Sequence, residues 1–193
     1  MYDLFTIGHS THSVEYFLEM LTSHRIAAVC DVRSNPYSRH APQFNRESLR
    51  TGMEKRKISY LYFGTELGPQ SKDPNCYEGD RVQYSRLAGT DLYRQGLDHL
   101  RREIASRPAA LMCAEKDPIN CHRMILVCRS LRKSGLRMAH ILANGALEDN
   151  TAAEVRLIGR LKIPAGGLFE DDRTRIEKAY DLQSFRIAYR RKI

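Results

Sequence analysis

Five times along this chain an apolar run of strand length is followed by apolar residues at helical spacing, and few folds accommodate that rhythm. A strand buried on both faces reads as a continuous apolar run. The helix that covers it shows a stripe at i, i+3, i+4 and i+7, so repeated strand–helix units predict a mainly parallel sheet faced with helices. The runs are Leu4 to Ile7, Ile26 to Val32, Ile58 to Phe63, Ala109 to Cys113 and Met138 to Leu142. Ser13 caps a first helix striped by Val14, Phe17, Leu18 and Leu21; Asn45 caps a second, with Phe44 and Leu49 placed as a hydrophobic staple. Tyr93, Leu97, Leu100 and Ile104 mark a third, and Met124, Val127, Cys128 and Leu131 a fourth that Gly135 ends. Val155, Ile158 and Leu161 face inward from a fifth. The fold class expected is α/β, three-layer, with a single mainly parallel sheet covered by helices; the pattern leaves strand order open.

At 193 residues the chain has the length of one domain and core enough to fold without disulfides. Residues 1–163 form the α/β domain. Pro164-Ala165-Gly166-Gly167 opens a basic C-terminal extension, 164–193, read as an appended helix, with seven Lys/Arg against two acids from Arg173 onward. The polar stretch from Gly64 to Asp80, holding Pro69 and Pro74, is too long for an ordinary connection and reads as a functional loop or lid. Five cysteines, an odd number, and an opening Met1–Ser13 without a basic and then apolar leader predict a cytoplasmic setting and free thiols, with no Cys113–Cys121 bridge. No run approaches the roughly 18 apolar residues of a membrane span. The formal charge of +8 points to an anionic partner, a phosphorylated small molecule or nucleic acid. Neither a cofactor nor an oligomeric state can be read from these residues.

In open parallel sheets ligands bind beyond the carboxyl ends of the strands, and the polar residues of this chain gather there. The first strand exits into Gly8-His9-Ser10-Thr11, the second into Asp31-Val32-Arg33 with Tyr37 and Arg39, the third into Gly64-Thr65-Glu66, and the fourth into Cys113-Ala114-Glu115. Behind the fourth, Asn120 is placed as an N-cap, with Cys121, His122 and Arg123 in the first helical turn, where backbone N–H groups and the helix dipole favour an anion or a thiolate. Cys121 is the candidate nucleophile; His9, His122, Glu115 and Asp31 are candidates to move protons; Arg33, Arg39 and Arg123, with Ser10 and Tyr37, are candidates to hold a phosphate. Bland readings stand beside these. Asp31 and Arg33 can form a structural ion pair, and Cys30 and Cys128 sit in apolar runs as core residues, while Cys76 lies in the polar loop with no role. Cys113, Cys121 and His122 are the ligand types a metal takes. Seven residues separate the two cysteines, however, and on a helix the side chains of Cys121 and His122 diverge by about 100°, so no metal is expected.

The opening Thr6-Ile7-Gly8-His9-Ser10-Thr11, then Asp31-Val32-Arg33 with Pro36, Ser38 and Arg39, Phe44, Leu67-Gly68, and Cys113-Ala114-Glu115 through Pro118 to Cys121-His122-Arg123 together resemble the domain of unknown function 488 family. The likeness runs from about Met1 to Leu161. It implies the fold and the site and carries no reaction. There is no G-x-x-x-x-G-K-[ST] loop and no G-x-G-x-x-G turn, which counts against a nucleoside triphosphatase or a dinucleotide enzyme. The function expected is an enzyme acting on a phosphate-bearing substrate, a nucleotide, nucleic acid or sugar phosphate. The alternatives are a non-catalytic nucleic-acid-binding module that uses the basic loop and tail with Tyr37, Tyr180 and Tyr189 for stacking, and a metal-binding protein.

Overall fold

The computed structural model describes residues 2–164 and 171–191. In chain order the elements are β1 (Leu4–Gly8), α1 (Val14–Ser23), β2 (Ala28–Asp31), α2 (Arg46–Glu54), β3 (Ser59–Tyr62), α3 (Gly64–Leu67), β4 (Tyr77–Glu78), β5 (Arg81–Val82), α4 (Tyr84–Ala88), α5 (Asp91–Ser106) and β6 (Ala109–Cys113). A junction helix follows, π-helical over Arg123–Cys128, α-helical over α6 (Arg129–Leu131) and 3₁₀ over Arg132–Ser134. Then come β7 (Met138–Ile141), β8 (Leu147–Asp149), α7 (Asn150–Leu161) and α8 (Asp172–Ile187).

Six strands form one sheet in the order β3-β2-β6-β1-β7-β8, parallel except for β8, which runs antiparallel along β7. Side chains alternate across the strands, so each face has its own core. Ile7, Val29, Ala110 and Met112 pack with Phe17, Leu21, Leu49 and Met53 of α1 and α2. On the other face Ala28, Cys30, Leu111 and Cys113 pack with Leu97 and Leu100 of α5, with the junction helix, with Leu157 of α7 and with Tyr180 of α8. This is the three-layer α/β architecture. The helices after β1 and β2 lie on one face and the helix after β6 on the other, so the connections diverge beside β6, where a crevice is expected at the carboxyl ends.

Local chemistry explains most of the element ends. Ser13 Oγ accepts from Tyr16 N at the start of α1, and Gly135, at φ +71°, ends the junction helix in the left-handed region. Asn45 departs from expectation: it precedes α2, but its Oδ1 accepts from Ser38 N and so ties down the β2 exit. The 64–80 stretch is not an open lid. Gly64 begins α3, Pro74–Cys76 forms a 3₁₀ turn, β4 pairs with β5, and Cys76 is buried in the core instead of lying idle in a loop. On α7 the buried face is Ala153, Glu154 and Leu157, with Ile158 and Leu161 partly buried against the core as expected, while Val155 is 69% exposed, because Glu154 finds partners in buried Asn150 and Tyr180 and half-buried Arg132. Tyr180 is accordingly buried and has no free ring face for stacking, whereas Tyr37 is exposed. The tail helix α8 packs back on the chain through Ala179, Tyr180 and Gln183, whose Nε2 donates to Ile119 O. The Ala165–Gly167 step and Lys192 lie outside the described residues. Among the described residues no helix is long and apolar enough to cross a membrane.

Candidate functional site

Because β2, β6 and β1 are neighbours, the exits carrying Asp31, Cys113 and His9 come together at one end of the sheet. The residues there divide into two clusters, one on each face.

On the α1–α2 face, Arg33 grips Asp31 in a fork: Nε donates to Oδ1 at 2.9 Å and Nη2 to Oδ2 at 2.7 Å. Arg33 Nη2 also donates to Phe44 O, and Tyr60 Oη to Asp31 Oδ2 at 2.6 Å. Asp31 is fully buried and Arg33 nearly so. His9 stacks on Phe44 with ring centroids 4.3 Å apart. Its Nδ1–H donates to Ser10 O, a carbonyl that can only accept, and its Nε2 then accepts from Arg33 Nη1 at 3.2 Å. Burial, with the Arg33 charge behind it, pulls His9 down to about 4, so the ring is neutral. Ser10 sits half-exposed at φ +49°, a left-handed conformation uncommon outside glycine, and its N–H donates to Ala114 O.

On the junction-helix face lie Cys113, Cys121, His122 and Arg123, all buried. The sequence places the cap one residue out of register. Asp117 caps a 3₁₀ turn, Pro118–Asn120, and Cys121 follows in extended backbone at φ −129°, ψ 141°. The carbonyl of Cys121 accepts from Met124 N and Ile125 N, so Cys121 is the helix-starting residue in place of Asn120, and His122 is the first helical one. Pro118 suits that first 3₁₀ position because its missing N–H would have no partner there. His122 Nε2–H donates to Val32 O at 3.0 Å, which leaves the Nδ1 lone pair facing Cys113 Sγ at 3.6 Å and Cys121 Sγ at 3.8 Å. The three ligand atoms lie within 4.8 Å of one another.

The thiols differ in chemistry. Burial pushes Cys30 and Cys128 up to about 12, as inert core thiols. Burial also opposes ionisation of Cys121, but the hydrogen bond from Cys113 and the Arg123 charge outweigh it and hold Cys121 well below the ordinary thiol range. Cys113 is pushed up because its thiol donates to Cys121. The two thiols share a hydrogen bond, and the first proton lost belongs to the pair and not to either sulfur alone.

Arg123 is fully buried and donates to Thr6 Oγ1, to Glu115 O at 2.6 Å and to Lys116 O. Among the described residues no carboxylate is in ion-pair contact with it. Since its Nε can only donate, the Thr6 hydroxyl hydrogen is left for His140 Nδ1 at 2.8 Å; His140 Nε2–H reaches Asn150 Oδ1, and Asn150 Nδ2 reaches Glu154 Oε1. This oriented chain runs from a buried cation to a buried anion. Burial and then the Arg123 charge pull His140 down to about 3, in keeping with a neutral ring.

The structure therefore brings Cys113, Cys121, His122 and Arg123 together on one face, and His9, Asp31 and Arg33 on the other. Glu115 contributes its carbonyl, and the residue itself is exposed. Arg39 is exposed; Tyr37 is half-exposed with its hydroxyl on Glu47 Oε1. Arg33 and Arg123 spend their donors on internal acceptors, so of the three arginines Arg33, Arg39 and Arg123 only Arg39 is exposed. Tyr60 and His140 are parts of this end of the sheet that no motif includes, and Thr6 lies in the opening motif without a role assigned to it. Thr6 and His140 are each the lone polar residue of an apolar run, whereas Tyr60 shares its run with Ser59 and Tyr62 and has no such signal. Beside the β2 and β3 exits a cavity of about 490 Å³ is lined by Ser34, Tyr62, Thr65, Gln70 and Lys72.

His9 and His140 carry a pH prediction. Each has a folded value below its unfolded one near 6.5, so the unfolded chain binds more protons at lower pH. Their contribution to stability is complete above about pH 6.5 and is lost as pH falls toward about 4. A loss of about 2 kcal/mol is expected between pH 7 and 5.5, above the range where most carboxylates titrate. Urea unfolding at fixed ionic strength measures it, and a flat profile would mean that these rings protonate in the folded chain.

Residues 13–129 match the family model described as Domain of unknown function DUF488, a span that holds Asp31, Arg33 and the whole Cys113–Arg123 segment and begins after His9. No curated protein and no solved structure gives a significant match. With well over half of its length matched, the chain belongs to the family Domain of unknown function DUF488.

Proposed function

We propose that the chain is an enzyme whose reacting centre is the Cys113–Cys121–His122 trio and whose substrate bears a phosphate. The observation that carries this reading is the convergence of two sulfurs and an imidazole nitrogen within 4.8 Å at the carboxyl end of a parallel sheet. A purely structural thiol needs no such company. The substrate class rests on charge: the chain is +8 overall, and the cations exposed at these exits include Arg39 and Lys72, the latter lining a cavity whose volume suits a nucleotide or sugar phosphate. Arg33 and Arg123 build the scaffold of the site, while Arg39 and Lys72 meet the phosphate.

The test is a panel of nucleotides, sugar phosphates and short oligonucleotides, each paired with its dephosphorylated form, scored for thermal stabilisation and for turnover. Phosphorylated members should stabilise the chain, Lys72→Ala or Arg39→Ala should weaken that by roughly 3–10-fold, and Cys121→Ala should abolish turnover while binding persists. Stabilisation by oligonucleotides alone, steeply salt-dependent and without turnover, would replace the enzyme with a nucleic-acid-binding module.

A further inference from the structure

We propose that Cys113 Sγ, Cys121 Sγ and His122 Nδ1 form a three-ligand site for a zinc(II) ion. The inference takes its location from the reading above and adds the identity of what the trio holds.

The geometric objection that the sequence raises does not survive the fold. Cys121 and His122 would diverge if both were helical, but Cys121 is extended and His122 helical, and the backbone turns between them so that both side chains face the end of β6. Spacing along the chain matters equally little, since Cys113 comes from the strand and the other two from the helix start, across the turn that Asp117 and Pro118 close.

The distances fit a tetrahedral ion. With metal–sulfur bonds of about 2.3 Å and metal–nitrogen bonds of about 2.0–2.1 Å, a sulfur and a nitrogen on neighbouring tetrahedral corners stand about 3.6 Å apart. His122 Nδ1 stands 3.6 Å from Cys113 Sγ and 3.8 Å from Cys121 Sγ. The tautomer is also set. Nε2–H is committed to the Val32 carbonyl at 3.0 Å, so Nδ1 presents a lone pair, and a backbone carbonyl holding the distal N–H is the usual support of a metal-bound imidazole. Two sulfurs and an imidazole select zinc over magnesium or calcium, which take oxygen.

Charge fits as well. Two thiolates and a divalent ion sum to zero, and Arg123 is buried nearby with no carboxylate in contact among the described residues. Its remaining positive charge matches an anion in the fourth position, a hydroxide or an oxygen of the substrate. Three protein ligands leave that position open, as in catalytic zinc sites and unlike the closed four-ligand structural ones. The sulfurs are then ligands, and the reacting atom sits on the metal.

The experiment uses the full chain, reduced, stripped with chelator and titrated anaerobically with cobalt(II) and then zinc(II). One cobalt per chain should give the strong visible bands of a tetrahedral centre and a sulfur-to-metal charge-transfer band of two-thiolate intensity, both abolished by one equivalent of zinc. Cys113→Ser should halve the charge-transfer band, and it and His122→Gln should each weaken zinc by more than about 100-fold, beyond the 10–100-fold lost with an outer-shell partner. Cys76→Ala should change neither. Circular dichroism identifies a variant that fails to fold, and the sulfur count from the wild-type spectrum then decides. Substoichiometric cobalt, weak bands of six-coordinate type, or a Cys113→Ser spectrum like wild type overturns the site. Turnover that needs Cys121 in a chain that takes up no metal leaves the enzyme reading and removes the zinc. Stoichiometric zinc without any response to phosphorylated compounds keeps the zinc and removes the substrate class.

Discussion

Arg123→Ala is expected to lower the stability of the chain by roughly 3–5 kcal/mol and the melting temperature by roughly 10 °C, a large fraction of what a domain of this size has to lose. Arg123 is the largest of the fully buried side chains. Its removal strands the Glu115 and Lys116 carbonyls without donors and takes away the hydrogen bond that turns the Thr6 hydroxyl toward His140. The lost hydrogen bonds to these part-buried carbonyls are one share of the cost, and a buried cavity the size of the Arg123 side chain is the larger. Arg123→Lys should recover only part of it, because an ammonium cannot serve three acceptors held at fixed angles. Thermal melts of both variants, with and without phosphorylated compounds, give the answer. A variant that melts near wild type and yet no longer responds to those compounds would make Arg123 a ligand-binding group and remove it from the scaffold.

The residues that make this end of the sheet were legible in unequal degree, for physical reasons. Strands buried on both faces, such as Ala109–Cys113, announce themselves as apolar runs, and helices that cover them show their stripes. The short β8, Leu147–Asp149, has no such signal because it lies at the sheet's edge and carries two acids. Part of the inward face of α7 is hidden in the sequence for a different reason: Glu154 is buried only because Asn150, Tyr180 and Arg132 meet it there, and one of those partners lies in α8. The candidate site shows the same divide. Polar residues at the exits of β1, β2 and β6 could be read as convergent, since side chains mark them. The Asp31–Arg33 ion pair could be read too, but what else Arg33 holds and what Arg123 holds could not, because much of it is backbone carbonyl, of Phe44, Glu115 and Lys116, and a carbonyl leaves no trace in residue type. The one-residue displacement of the cap from Asn120 to Cys121 follows from Asp117 and Pro118 taking up the preceding turn, and it decides whether Cys121 and His122 can act together.

Gly8→Ala should cost about 3 kcal/mol, far more than a glycine-to-alanine exchange in an ordinary strand. Gly8 ends β1 opposite Cys113 in the parallel ladder, and its φ lies outside the left-handed region, so the demand for glycine there is steric and not conformational. A methyl group would collide with the Glu115 carbonyl oxygen and would stand 3.2 Å from Arg123 Nη1. A backbone carbonyl cannot swing aside as a flexible side chain can. The β6 exit must therefore shift, and Glu115 O moves away from the guanidinium it accepts from. The loss then has two parts, overpacking and a weakened clamp on Arg123, and the second part vanishes once Arg123 is gone. A double-mutant cycle isolates it. The doubly substituted Gly8→Ala, Arg123→Ala chain should be about 1–2 kcal/mol more stable than the sum of the single losses implies. Strict additivity in urea unfolding would show that the methyl is absorbed without moving Glu115, and that the close approach of β1 to the β6 exit does not hold Arg123 in place.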